Sequence, residues 1–313
     1  MYPGKYAEQN PDRSAFVMAA TGERVSYQEF EARSNRVAHY LADKGLGFQD
    51  HYSIFMENNN RYLESCAAGE RSGLYFTCIN SFLTSDELAY IINNSESQIL
   101  ITSMSKLEAA QEALAQCTAI KEVLVVGAGD ADLPEGMSDF ASTLSKYPET
   151  PLERELLGAA MLYSSGTTGR PKGIVRPLPE QSPNEPLPVI GFLSGLWRYR
   201  EDMIYLSPAP LYHSAPQAAV GLTLRMGGTV VIMERFDPAD YLRFVEEYQV
   251  SHSQLVPTMF SRMLKMPEED RTKYDLSSLE VAVHAAAPCP VLVKQQMIDW
   301  WGPIIWEYYG GTE

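Results

Sequence analysis

Short apolar runs alternate with amphipathic stretches along most of the chain. Ala15 to Ala19, His51 to Met56, Leu74 to Ile79, Gln98 to Thr102 and Val123 to Val126 are brief and apolar, as buried strands are. Thr21-Gly22 turns the first of them toward Arg24-Val25. Between the strands lie helix signals. Ser26-Tyr27-Gln28-Glu29 reads as a capping box, and the helix it opens puts Phe30, Val37 and Leu41 on one face and stops at Gly45. Arg61 to Ser72 reads as a helix ending at Gly73, Thr84-Ser85-Asp86-Glu87 caps a helix through Ile92, and Ser105 to Gln116 is a fourth helix. Parallel neighbours need a long crossover and a helix supplies it. The alternation therefore predicts an α/β fold of mainly parallel sheets flanked by helices.

Residues 130–155 break the rhythm. They carry seven acids (Asp130, Asp132, Glu135, Asp139, Glu149, Glu153, Glu155) against Lys146 and Arg154, and read as a surface connection. This predicts two lobes, 1–129 and 156–313, on either side of it. Alternation then resumes. Ala159 to Tyr163, Met203 to Leu206, Thr229 to Met233, His252 to Val256, Leu279 to Val283 and Pro303 to Ile305 read as strands. Val189 to Tyr199 and Gln217 to Met226 read as helices, and Asp237-Pro238 as an N-cap with proline in the first turn. The Tyr241-Leu242-Phe244-Val245 stripe is expected in the core, as are Trp300, Trp301 and Trp306. Arg176 to Pro188 holds five prolines in thirteen residues and excludes helix and central strand.

Composition narrows the function. The 313 residues hold 40 Asp plus Glu and 25 Lys plus Arg, a formal charge of −15. Such a chain lacks the clustered cations that nucleic acid or an anionic membrane requires. Four cysteines, at 66, 78, 117 and 289, form no CxxC pair. This argues against a disulfide scaffold or a structural zinc site and fits a reducing, cytoplasmic setting. The first residues have no apolar core of the signal-peptide kind, and no apolar run reaches membrane-spanning length.

Chemistry concentrates in Tyr163-Ser164-Ser165-Gly166-Thr167-Thr168-Gly169-Arg170-Pro171-Lys172-Gly173. Glycines let backbone N–H groups approach an oxyanion closely. Ser164, Ser165, Thr167 and Thr168 add hydroxyls, and Lys172 adds a point charge. That combination suits a polyphosphate. It is not a Walker A loop: counted from Gly166, the required second glycine is Pro171, and the residue after Lys172 is Gly173 rather than Ser or Thr. A nucleophile elbow fails too, because Tyr163 stands where G-x-S-x-G needs glycine. A dinucleotide fingerprint fails because Gly127-Ala128-Gly129 runs into Asp-Ala-Asp.

The string resembles the phosphate loop of the adenylate-forming enzymes, which include acyl-CoA synthetases, luciferases and peptide-synthetase adenylation domains. Ser207-Pro208-Ala209-Pro210-Leu211-Tyr212-His213-Ser214-Ala215 resembles the family's aromatic-His segment, Ala285-Ala286-Ala287-Pro288 its small-residue turn, and Tyr308-Tyr309-Gly310-Gly311-Thr312-Glu313 its Y-G-x-T-E motif. The likeness is greatest to bacterial acyl-CoA synthetases acting on fatty or other hydrophobic acids. It implies two steps: a carboxylate attacks the α-phosphate of ATP to give acyl-AMP and pyrophosphate, and coenzyme A then displaces AMP. It further implies that Ser165, Gly166, Thr167, Thr168, Gly169 and Lys172 cradle the β- and γ-phosphates. Ser164 and Glu313 would hold Mg²⁺, Thr312 the α-phosphate, and Tyr309 would stack on adenine. Ala285, Ala286 and Ala287 would admit the nucleotide close to the backbone, and Tyr212 and His213 would line the acid pocket. Lys172, Thr168 and Glu313 are the residues expected to serve the reaction itself. No general base is needed, since a carboxylic acid is already ionised at neutral pH. His39, His51, His252 and His284 read as structural. Pro177 and Leu178 stand where family members place a second histidine.

Family members continue past the Y-G-x-T-E motif into a ribose-binding aspartate, a hinge and a small C-terminal domain with a catalytic lysine. The chain is accordingly expected to be an N-terminal part, inactive as a ligase alone. Two alternatives remain open: transfer of the acyl group to a carrier protein, and a nucleotide-binding module without turnover. The resemblance leaves chain length of the acid and oligomeric state unassigned.

Overall fold

A computed structural model describes residues 1–164 and 170–311 of the chain. Its strands, in chain order, are β1 (Ser14–Met18), β2 (Arg24–Ser26), β3 (His51–Phe55), β4 (Tyr75–Cys78), β5 (Ile99–Ser103), β6 (Glu122–Val126), β7 (Met137–Asp139) and β8 (Ala159–Ala160). They continue as β9 (Leu162–Ser164), β10 (Lys172–Ile174), β11 (Ile204–Ser207), β12 (Thr229–Ile232), β13 (His252–Leu255), β14 (Val281–His284) and β15 (Ile305–Glu307). One sheet has the order β7-β6-β5-β3-β4-β8, another β15-β14-β13-β11-β12-β1-β2, and β9-β10 is a separate hairpin. Every pairing in the two large sheets is parallel except β1 with β2.

Local signals explain the helix ends. Ser26 Oγ accepts from the Glu29 N–H at 3.1 Å while the Glu29 carboxylate accepts from the Ser26 N–H at 2.9 Å, which closes the capping box before helix Tyr27–Asp43. Thr84 and Glu87 repeat the arrangement before helix Ser85–Asn94. Helix Tyr62–Ser72 stops where Gly73 turns left-handed at φ 68°. Helix Ser214–Arg225 starts earlier than the expected Gln217, because Pro216 is tolerated in a first turn whose N–H groups have no intrahelical partner.

Sheet membership does not follow the lobe boundaries expected from the sequence. β1 and β2 belong to the sheet otherwise built from residues 204–307, and β8 extends the sheet built from 51–139. A single apolar cluster joins Phe16 and Val230 of one sheet to Tyr52 and Ile54 of the other. Nor is 130–155 merely a surface connection. It supplies edge strand β7 and helix Phe140–Leu144. At its end Glu155 reaches the fully buried Arg71, which donates to Glu155 at 2.6 Å, to Glu31 at 2.5 Å and to Ser34 Oγ at 2.6 Å. Loss of either carboxylate would leave a buried charge short of its partner, a change that costs about 3–5 kcal/mol in comparable cases. Just beyond, Gly158 passes so close to the helix end that a Cβ would stand 2.1 Å from the Gly69 carbonyl oxygen, so no side chain fits.

The helix stripe Tyr241, Leu242, Phe244 and Val245 is buried, as are parts of Trp300 and Trp301 against the same cluster, whereas Trp306 is 37% exposed. No helix among the described residues is long and apolar enough to cross a membrane.

Candidate functional site

In open parallel sheets, ligands sit outside the carboxyl ends of the strands, where neighbouring crossovers diverge to opposite sides. Each large sheet has such a point. β12 and β13 flank β11, and β4 and β5 flank β3. A cleft of about 740 Å³ opens at these carboxyl ends. Its wall takes Cys78, Ile79 and Asn80 from the end of β4, and Tyr212 to Ala215 from beyond β11. Ala285 and Ala286 follow β14, and Tyr308, Gly310 and Gly311 follow β15.

The phosphate-loop candidate enters as a hairpin rather than as a strand running into a helix. The expected single strand Ala159 to Tyr163 divides: β8 joins the sheet beside β4, and β9 turns away to pair antiparallel with β10. Ser164 lies opposite Lys172 across this hairpin. Helix Ser85–Asn94 anchors both arms: Tyr163 Oη donates to Asn94 Oδ1 at 2.7 Å, Tyr90 Oη donates to the Pro171 carbonyl at 3.0 Å, and the Arg170 guanidinium lies 4.9 Å from the Tyr90 ring centre. Ser164 lines the cleft, and Lys172 is exposed beside it without lining it. Ser165, Gly166, Thr167, Thr168, Gly169, Thr312 and Glu313 lie outside the described residues.

His213 is the residue before helix Ser214–Arg225, its ring 4.4 Å from that of Tyr212. Desolvation lowers its pKa below the usual histidine value, which keeps the imidazole neutral at pH 7. The loop bearing these rings is held from the other sheet. Asn58, buried just beyond β3, accepts from the Leu211 N–H at 2.9 Å and donates to the carbonyls of Ala209 at 3.2 Å and Met233 at 2.9 Å. One side chain thus ties the two divergence points together.

Ala285 and Ala286 face the cleft, whereas Ala287 does not line it. Ala286 has φ 74°, a left-handed backbone that a Cβ opposes by roughly 1–2 kcal/mol. Ala286→Val should lose at least about 1 kcal/mol more, while Ala286→Gly should hold or raise stability. Urea unfolding of the two variants checks the order. Tyr308 lines the cleft and accepts a 2.8 Å hydrogen bond from Gln254, but Tyr309 stands fully in solvent.

Several cleft residues carried no sequence expectation. Arg176 lines it from the proline-rich segment, whose backbone is fixed where the Arg176 carbonyl accepts from Tyr75 Oη at 2.5 Å. Cys78 and Asn80 gave no signal either. His252 is structural, bonded to Ser251 Oγ and the Trp197 carbonyl, with burial pushing its pKa down to about 4. His284 is buried with neither ring nitrogen partnered among the described residues, directly before the Ala285 turn. The described residues contain no cluster of three or more metal-binding side chains, and of the pair expected to hold Mg²⁺ only Ser164 is among them.

The sequence model of the AMP-binding enzymes matches residues 5–313. The chain belongs to that family. It is 28% identical over 282 residues to 4-coumarate–CoA ligase 1 of Petroselinum crispum, covering 88% of this chain and 50% of that protein. It is 27% identical over 291 residues to the medium/long-chain-fatty-acid–CoA ligase FadD8 of Mycobacterium tuberculosis, covering 90% and 49%. The chain thus spans about half the length of the curated relatives it matches. Among solved structures, ATP-bound MatB from Rhodopseudomonas palustris superposes with a TM-score of 0.78 at 26% identity, over 100% of this chain and 60% of that one. The N-terminal domain of FACL13 from M. tuberculosis gives 0.80 at 21%, over 99% and 74%, a likeness of fold. As an AMP-binding family member the chain has the expected α/β architecture, and its sheets match those of N-terminal domains in this family.

Proposed function

We propose that the protein carrying this chain is an ATP-dependent acid–CoA ligase that activates a fatty or other hydrophobic carboxylic acid as an acyl-adenylate. What supports the reading is the convergence of four separate segments, Ser164, Tyr212-His213, Ala285-Ala286 and Tyr308 with Gly310-Gly311, on one cleft at the carboxyl ends of both sheets.

Attack of a carboxylate on a triphosphate is opposed by charge, so the site must supply positive charge and oriented donors. The hairpin of Ser164 and Lys172 would present the β- and γ-phosphates with an ammonium, hydroxyls and glycine amides. Ser164 and Glu313 would hold Mg²⁺, which neutralises phosphate charge when bound. The small turn at Ala285 to Ala287 would admit the adenosine, Thr312 would contact the α-phosphate, and Tyr309 would close over the base. The acid would enter between Tyr212, His213 and the apolar wall of Ile79, Leu83 and Ile91. A neutral His213 suits this role, because it neither repels an apolar chain nor competes for a proton that the carboxylate has already lost. Coenzyme A is the proposed acceptor. A panel of CoA and carrier-protein thiols tests that choice against transfer to a carrier.

The chain itself offers a direct test. A ligand that binds only the folded state stabilises it by about 2.7 kcal/mol at a hundredfold excess over Kd. AMP and ATP are therefore expected to raise the melting temperature of the 313-residue chain, saturably. A melting temperature unmoved by either nucleotide at millimolar concentration would remove the reading.

A further inference from the structure

Cys78 lies in the cleft wall with the fully buried Cys66 behind it, and the proposed reaction uses neither thiol. Cys66 lies in helix Tyr62–Ser72 and Cys78 is the last residue of β4, so the turn at Gly73 folds one back onto the other. Both are buried and free, and their sulfurs are 3.6 Å apart. Cys78 lines the cleft beside Tyr212 and His213, and its sulfur accepts from Gln217 Nε2 at 2.8 Å. Cys117 instead donates to the Ala113 carbonyl at 3.3 Å, and among the described residues neither it nor Cys289 makes a sulfur–sulfur contact.

We propose that Cys66 and Cys78 are a dithiol modification site, opened to solvent through the cleft, that closes to a disulfide when a thiol-specific oxidant enters. A disulfide needs sulfurs about 2.05 Å apart, so they must approach by roughly 1.5 Å, a displacement within reach of side-chain rotation. With a diazene such as diamide as oxidant, the Cys78 thiol adds across the N=N bond. The Cys66 thiol, losing its proton, then attacks the Cys78 sulfur, the S–N bond breaks, and the nitrogen pair leaves as the hydrazine. Two thiols lose two hydrogens and the diazene gains them. Burial pushes the Cys66 thiol up, so the closing step quickens as pH rises. Closure turns Cys78 away from the cleft toward Cys66 and removes the thiol that Gln217 contacts. Gln217 belongs to the helix that begins beside His213, so the acid side of the cleft changes shape. That last consequence rests on the proposed function, but the bridge itself does not.

The test uses the folded 313-residue chain, treated with diamide, then denatured, alkylated with iodoacetamide and mapped by mass spectrometry. The expected result is one linked species joining the Cys66 and Cys78 peptides, lighter than the reduced pair by two hydrogens and reversed by dithiothreitol, with Cys117 and Cys289 alkylated. Cys66→Ser and Cys78→Ser should each abolish it. Recovery of Cys66 and Cys78 as alkylated thiols while Cys117 or Cys289 carries the oxidant would overturn the proposal. So would a bridge that forms only in urea. Nucleotide binding, read separately by melting temperature, is unaffected by either result, so failure here leaves the ligase reading standing.

Discussion

Lys172→Ala in the whole enzyme is expected to lower acid-dependent ATP–pyrophosphate exchange by about a hundredfold or more. Removal of one preorganised group that stabilises developing charge commonly costs 10²–10³ in rate, about 2.7–4 kcal/mol of barrier. The hairpin register puts Lys172 opposite Ser164 at the rim of the cleft, and among the described residues no carboxylate forms an ion pair with it. Among the described residues, then, its charge is not spent on an ion pair, which suits the proposed phosphate contact. The side chain is exposed, so the melting temperature should barely change, which separates a loss of chemistry from a loss of structure. Lys172→Arg should keep part of the rate, because charge survives while the compact ammonium does not. Exchange within twofold of the parent protein would show that the hairpin does not grip the triphosphate.

The second large effect is structural. Asn58→Ala should destabilise the fold by about 3 kcal/mol, because the Leu211 N–H and the Ala209 and Met233 carbonyls all lose a buried partner, each worth roughly 1 kcal/mol or more. Asn58→Asp is no remedy. It keeps the acceptor for Leu211 but aims a second oxygen at two carbonyls. In whole enzyme that still folds, the acid KM should rise more than the ATP KM, since the freed loop carries Tyr212 and His213. Urea unfolding measures the first effect and steady-state kinetics the second. A loss below about 0.5 kcal/mol would mean that the loop holds its place without Asn58.

The residues that were legible in the sequence act on near neighbours. Ser26 with Glu29, Thr84 with Glu87 and Gly73 at a helix end each settle a local geometry, and each appears where the sequence places it. Alternating apolar runs likewise imply the parallel sheets and their helices. Choice of strand partner was not legible, because it is settled between distant segments. Nothing near Ser14 says that β1 pairs with β12 rather than with β3, and nothing in Ala159 to Tyr163 says that the run splits at Met161. Three-residue β7, with one apolar side chain, carries no strand period. For the candidate site, the motif strings announced Ser164, Tyr212, His213, Ala285 and Ala286, which the fold does bring to one cleft. Asn58 was invisible among three consecutive asparagines, and Cys78 looked like any other strand residue, because burial and partners distinguish them and local composition does not.

The pairing of β1 with β12 also bears on how the protein is made. Phe16 lies beside Val230, so β1 must wait for more than two hundred residues of further synthesis before its neighbour exists. During that interval Ala15 to Met18, buried in the finished molecule, has β2 and the Phe30 side of helix Tyr27–Asp43 beside it but lacks the strand that pairs along its other edge. Such late closure makes for slow folding and exposes a sticky nascent segment, so this protein's yield in a cell should depend on chaperone capacity more than its final stability suggests.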